Sequence, residues 1–239
     1  MKMKLGIIGA MESEVELLVS LLDEKECRKI GKHTFYTGTL SGTPTVIARA
    51  GVGKVNAAVC TAAMILEFAP EFILNTGVAG ALGRGITVGD VIIADSCVEY
   101  DLEYGALGDK RGSIFYPDST SEIVMPADAE LSDLLVKVAG EVSGGEFAVK
   151  RGCVATGDRF VSSNEAREDI LSAFPDALCC EMEGAAIAQV CRLYSMKYSV
   201  LRSMSDSADG ESEMDFPTFA KLSADRAARI AEKLAKSLS

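Results

Sequence analysis

Histidine is nearly missing from this chain: His33 is the single one in 239 residues. Mechanisms that need a histidine base depend on that residue, and sites built from several histidines are excluded. The seven cysteines, at positions 27, 60, 97, 153, 179, 180 and 191, are odd in number and lack the two-residue gap of zinc ribbons and thioredoxin-type redox sites. They read as buried, reduced thiols, which suits a cytoplasmic protein. No apolar run approaches the roughly 18 residues of a membrane helix, since the best candidate, residues 55–66, carries Asn56 and Thr61. Cations are also short, with 24 Lys and Arg against 35 Asp and Glu and a formal net charge of −11. That balance argues against a protein that neutralises phosphate backbones, so neither nucleic acid nor membrane is expected as a partner.

Core-building residues are plentiful. Hydrophobic residues make up 48% of the chain, ample for one large domain spanning 1–239. Residues 4–8 form a short apolar run, and acidic residues at 12–16 follow where a signal peptide would continue apolar. The start therefore reads as a first strand. Further strands are expected at 35–40, 45–50, 72–75, 91–94, 150–155, 178–181 and 198–203. Helical spacing marks the stretch after Gly9, the segment with Ala57, Ala58, Met64 and Ile65, and residues 127–139, 163–172, 184–194 and from about 216 onward. Near-continuous apolar strands alternating with helices predict an α/β fold: a single domain with a mixed, mainly parallel twisted sheet covered by helices on both faces. Residues 99–125 lack periodicity and form a candidate flap.

Ligands in such folds gather beyond the strand ends, and five segments there carry chemistry. Glu12 and Glu14 open a helix after Gly9-Ala10-Met11, where the helix dipole already favours acids. Gly51-Val52-Gly53-Lys54 fails both the P-loop and dinucleotide templates and reads as a tight turn for close strand-to-helix packing. Asn75-Thr76-Gly77-Val78-Ala79-Gly80 lets a flat ligand approach the backbone, or simply turns. Phe160, within Thr156-Gly157-Asp158-Arg159-Phe160-Val161, can stack on a base or fill a core. Two acidic strand ends follow, Glu181-Met182-Glu183-Gly184 and Arg202-Ser203-Met204-Ser205-Asp206. Burial raises a carboxylate's pKa and an arginine lowers it, so such ends can hold one acid protonated and others ionised, as glycosidic cleavage requires.

Together, Gly9-Ala10-Met11 with Glu14, Thr76-Gly77-Val78-Ala79-Gly80, Gly157-Asp158-Arg159-Phe160, Glu181-Met182-Glu183-Gly184 and Arg202-Ser203-Met204-Ser205-Asp206 resemble the purine and uridine phosphorylase superfamily, on its nucleosidase side. The resemblance implies a nucleoside phosphorylase-like fold and hydrolysis of the N-glycosidic bond of 5′-methylthioadenosine or S-adenosylhomocysteine, without metal or organic cofactor. It further implies that Asp206 protonates adenine N7, Glu183 holds the ribose hydroxyls, and Glu14 activates water with help from Arg202. Phe160 would stack on adenine and Val161 would read its edge through the backbone. Met182 and Phe216 would line the pocket, with Met11, Val52, Val78, Ala79, Gly80, Glu181 and Ser205 at further pocket positions.

The resemblance also implies a homodimer in which the segment from Tyr100 to Leu107, with Tyr104 and Leu107, closes the 5′ pocket of the neighbouring subunit. Two departures mark this chain: Val78 stands where many members carry serine, and the flap reads Tyr100-Asp101-Leu102-Glu103-Tyr104-Gly105-Ala106-Leu107 in place of a His-Asp pair followed by a small aliphatic residue and Thr-Ala-Phe. The competing readings are a phosphate-using phosphorylase of the same fold and a catalytically silent nucleoside-binding protein.

Overall fold

The computed structural model describes residues 3–206 and 216–239. Strand β1 (Leu5–Gly9) runs into helix α1 (Glu12–Ser20), followed by an antiparallel meander of β2 (Asp23–Ile30), β3 (His33–Leu40) and β4 (Thr43–Arg49). Helix α2 (Lys54–Phe68) leads to β5 (Phe72–Ala81) and β6 (Val91–Glu99). The short strands β7 (Ile114–Phe115), β8 (Ser121–Glu122) and β9 (Met125–Pro126) belong to the long connection before α3 (Ala129–Ser143). The chain continues through β10 (Val149–Thr156), α4 (Asn164–Ala173), β11 (Ala177–Glu181), α5 (Gly184–Leu193), β12 (Lys197–Asp206) and α6 (Phe216–Leu238).

The main sheet has the order β11-β10-β6-β12-β5-β1-β4-β3-β2, with β9 added beside β6. Pairings β1–β4, β1–β5, β5–β12, β6–β10 and β10–β11 are parallel. The expected mixed, mainly parallel α/β architecture is therefore present, with one addition. Strand β11 also pairs antiparallel with β5, Cys179 opposite Ala81 and Cys180 opposite Gly80, which closes one half of the sheet into a small barrel.

Each sheet face buries its own cluster. Ile73, Val200, Met204 and Ile92 pack under α2 and α5, which offer Ala57, Cys60, Met64, Ala185, Ala188 and Cys191. The opposite face, with Leu5, Ile7, Leu74 and Leu201, is covered by α1, α3 and α6. Helix α6 buries Ala227, Ile230, Ala231 and Leu234, the spacing of one helical stripe, and its small alanines let it lie close to the sheet. Burial of these side chains at about 25 cal/mol per Å² of apolar surface is what holds strand ends from distant parts of the chain in register.

Local pattern and structure part company in two places. Strand β2, of sequence DEKECRKI, is exposed along almost its whole length, so no apolar alternation announces it; pairing with β3 and its charged edge define it instead. Strands β5 and β12 run past their apolar parts, β5 through Gly77-Val78-Ala79-Gly80 and β12 to Asp206, because the two pair along nearly their whole length. Residues expected in turns after the strands thus sit on the strands themselves. No helix among the described residues is long and apolar enough to cross a membrane.

Candidate active site

A cavity of about 250 Å³ opens where these strand ends meet. Ala10, Met11 and Glu14 line it from the β1–α1 junction, Val52 from the β4–α2 turn, and Val78, Ala79 and Gly80 from β5. Arg159, Phe160 and Val161 contribute from the segment after β10, Cys180, Glu181, Met182 and Glu183 from β11 and its exit, and Ser205 and Asp206 from the end of β12. Barrel closure unites them, since Cys180 and Gly80 are paired neighbours on the same wall.

Glu14 is buried and held by three backbone amides: Ala10 and Met11 donate to Oε2 at 2.7 and 2.9 Å, and Val78 donates to Oε1 at 3.1 Å. The bond from the Met11 amide caps the start of α1, so the ordinary helix-start role and a place in the cavity wall fall to one side chain. Three of its roughly four acceptor sites are taken, which fixes the carboxylate's orientation and leaves capacity for a group in the cavity.

Glu181 lines the cavity but is consumed by protein partners. Its oxygens accept from the Thr156 hydroxyl, from Arg202, from the Glu183 amide at 3.0 Å and from the Gly184 amide at 2.8 Å. These bonds cap the start of α5 and so aim Glu183. Arg202, 1% exposed, stands behind the wall and is not a lining residue. It donates to Asn75 Oδ1 at 2.5 Å and to Glu181, and lies 3.9 Å from Glu183 Oε2. Burial opposes its charge, yet attraction to Glu181, Glu183 and Glu14 prevails and raises its pKa above the usual arginine value.

Glu183 accepts a hydrogen bond from the Gly53 amide at 2.8 Å. Its pKa is raised to about 7, first by burial and then by the Glu181 charge, against the pull of Arg202 and the Gly53 amide. The Gly51–Lys54 segment is a turn as expected, with Gly51 and Gly53 at φ 88° and 97°, but it also supplies this amide, a role that spacing alone did not disclose. Asp206 accepts from the Ser205 hydroxyl at 2.9 Å.

Of the other expected site residues, Tyr104 and Leu107 do not line this cavity. Leu107 is 80% exposed and Tyr104 packs edge-on against Phe115, 5.6 Å between ring centroids. The Phe216 side chain lies outside the described residues. Ala10, Arg159 and Cys180 line the cavity without having been singled out; adjacency to Met11, Phe160 and Glu181 was the only signal for them. His33 is engaged elsewhere, its Nε2 2.9 Å from the Ala50 carbonyl oxygen.

Three carboxylates from separate strand ends facing an aromatic wall, on a half-closed α/β sheet, define a class. The family model described as the phosphorylase superfamily matches residues 4–236, and the chain belongs to that superfamily. Within it, the chain is similar to proteins named 5′-methylthioadenosine/S-adenosylhomocysteine nucleosidase. One so named from Staphylococcus aureus (strain JH9) is 39% identical over 235 residues, 98% of this chain and 100% of that protein. The crystal structure of the nucleosidase of that name from Neisseria meningitidis, in complex with methylthio-immucillin-A, superposes with a TM-score of 0.91 at 37% identity, covering 99% of this chain and 100% of the other. The corresponding structure from Colwellia psychrerythraea, in complex with adenine, gives a TM-score of 0.92 at 32% identity, covering 100% and 96%.

Proposed function

We propose that this protein hydrolyses the N-glycosidic bond of 5′-methylthioadenosine and S-adenosylhomocysteine, releasing adenine and the corresponding thioribose. The observation that carries the reading is the convergence of Glu14, Glu183 and Asp206 on one cavity with Phe160 and Val161 on its wall. In this reading Phe160 stacks on the adenine and Val161 reads its edge. Asp206 delivers a proton to N7, which makes the base a better leaving group; one such acid contributes about 10² to 10⁴ in rate. Glu183 accepts hydrogen bonds from the ribose hydroxyls, and Glu14 takes a proton from the attacking water on the opposite side of the sugar. The positive charge that develops on the ribosyl group is stabilised by fixed carboxylates that need not reorganise. Met11, Val52, Val78 and Met182 enclose the sugar and its 5′ substituent, and the Val78 amide also donates to Glu14.

Charge favours water over phosphate as the acceptor. Glu14, Glu181, Glu183 and Asp206 line the cavity, and Arg159 is the one cation among its described lining residues. A phosphate beneath the ribose would meet Glu14, and two such charges at 4 Å repel by about 1 kcal/mol in water and about 4 kcal/mol at an effective dielectric of 20.

The same reading includes a homodimer in the cytoplasm. Val55, Val59 and Leu66 form an exposed apolar stripe on α2, and Leu107, Phe115 and Phe160 add exposed apolar area. Burying such surfaces against a second copy would let Tyr104 and Leu107 cap the partner's 5′ pocket. All seven cysteines are free, in keeping with a reducing compartment.

Purified protein incubated with methylthioadenosine, with and without inorganic phosphate, decides the reading. Free methylthioribose in both conditions is expected; a sugar 1-phosphate formed only with phosphate would make the protein a phosphorylase. Absence of adenine from every 5′-substituted nucleoside would leave a binding protein.

A further inference from the structure

A closed ring of polar contacts surrounds Lys54, next to the cavity but outside its lining. Lys54 begins α2, and its side chain is only 17% exposed. Its Nζ lies 3.0 Å from Glu99 Oε2 and 2.6 Å from Asp101 Oδ1. Glu99 ends β6 and is buried, and Asp101 begins the flap. The second Asp101 oxygen accepts from the Asp158 amide at 2.8 Å, while Asp158 Oδ1 accepts from the Lys54 amide, also at 2.8 Å. One lysine thus ties together the β4–α2 turn, the base of the flap and the segment that carries Arg159 and Phe160.

The ring also sets the turn itself. Gly53, at φ 97°, is pressed against Asp158, whose Oδ1 would lie 3.0 Å from any Cβ placed there, and the Gly53 amide is the one that donates to Glu183. Removing the lysine would leave Glu99 buried beside Asp101 without a cation, relieved by separation of the two or by a proton on Glu99, and in either case Asp101 loses the ammonium that holds its Oδ1. Movement of Asp101 releases the Asp158 amide, and movement of Asp158 releases the turn that aims Glu183.

We infer that Lys54 is a positioning residue for ribose recognition, acting on Glu183 through the Gly53 amide and on the flap through Asp101. This deepens the nucleosidase reading and rests on it for its kinetic consequence. Lys54→Met should raise KM for methylthioadenosine by about tenfold to a hundredfold, the range expected when hydrogen bonds to a charged carboxylate are lost, with a smaller change in kcat. The dissociation constant of free adenine, which does not reach Glu183, should stay within about threefold of the parent value. Lys54→Arg, which keeps the charge between the two carboxylates, should recover most of the loss.

Amide hydrogen exchange supplies a readout independent of turnover. Residues 52–56 and 101–107 should exchange faster in Lys54→Met, while β1 and α6 keep their protection. Asp101→Asn serves as the second variant where Lys54→Met folds poorly, with the same exchange pattern expected. Unchanged exchange in the turn, or an equal loss of adenine and nucleoside binding, would overturn the inference. A parent protein that leaves methylthioadenosine intact would overturn the nucleosidase reading instead, and the exchange data would still decide the role of Lys54.

Discussion

Gly77 lies flat against the carboxylate of Glu14: a Cβ at position 77 would come within 2.5 Å of Glu14 Oε1 and 2.9 Å of Arg202 Nη1. The smallest side chain therefore cannot enter without displacing a carboxylate held by three amides, or a buried guanidinium. Gly77→Ala should lower kcat/KM for methylthioadenosine by about 10²-fold through displaced Glu14. Steady-state kinetics beside a thermal melt tests this, and activity within a few-fold of the parent would remove Glu14 from the water-activating role.

Asp206→Asn keeps the shape of the cavity wall but has no proton to give. Turnover of adenine nucleosides should fall by about 10²- to 10⁴-fold with the melting temperature little changed. A single-turnover assay at high enzyme concentration separates loss of chemistry from loss of binding. Near-parent rates would remove Asp206 as the acid.

Glu183 makes both stability and activity depend on pH. Its carboxyl has a pKa raised from about 4.5 to about 7 by burial, so the folded state binds this proton more tightly than the unfolded chain. Its contribution to stability is therefore full below about pH 4.5 and is lost as pH rises toward about 7, with no further change above. Urea midpoints measured across that window should show a slope that Glu183→Gln removes. The ionised form is the acceptor for ribose hydroxyls, so kcat/KM should rise with pH over the same window in the parent, and this limb should vanish in Glu183→Gln.

Arg202 is buried among Glu181, Glu183 and Asn75. Arg202→Met strands two buried carboxylates and should cost about 3 to 5 kcal/mol by chemical denaturation, the usual penalty for breaking a buried pair. Arg202→Lys should rescue little, because a point charge cannot bond Asn75 and Glu181 at once from one planar group. A variant as stable as the parent would show that the guanidinium is not needed to hold Glu181 and Glu183 in place.

What the amino-acid sequence determined by itself is local in origin. Apolar runs at 5–8, 72–74 and 198–201 announce strands because a strand buried on both faces has no polar side, and small and acidic residues at their ends announce where chemistry gathers. Glu183 and Asp206 stood out for that reason, whereas Glu14 read as ordinary helix-start chemistry and was singled out only by the resemblance. Strand β2 was not, since exposure on both faces leaves no pattern to read. The tertiary structure alone decided what depends on contacts between distant positions. Pairing of Cys180 with Gly80 closes the barrel and brings Glu183 beside Glu14. The same closure spends Glu181 on Thr156 and Arg202 and hands the Gly53 amide to Glu183. Those roles are set by which groups meet once the two sheet faces are buried, and no spacing along the chain encodes that meeting.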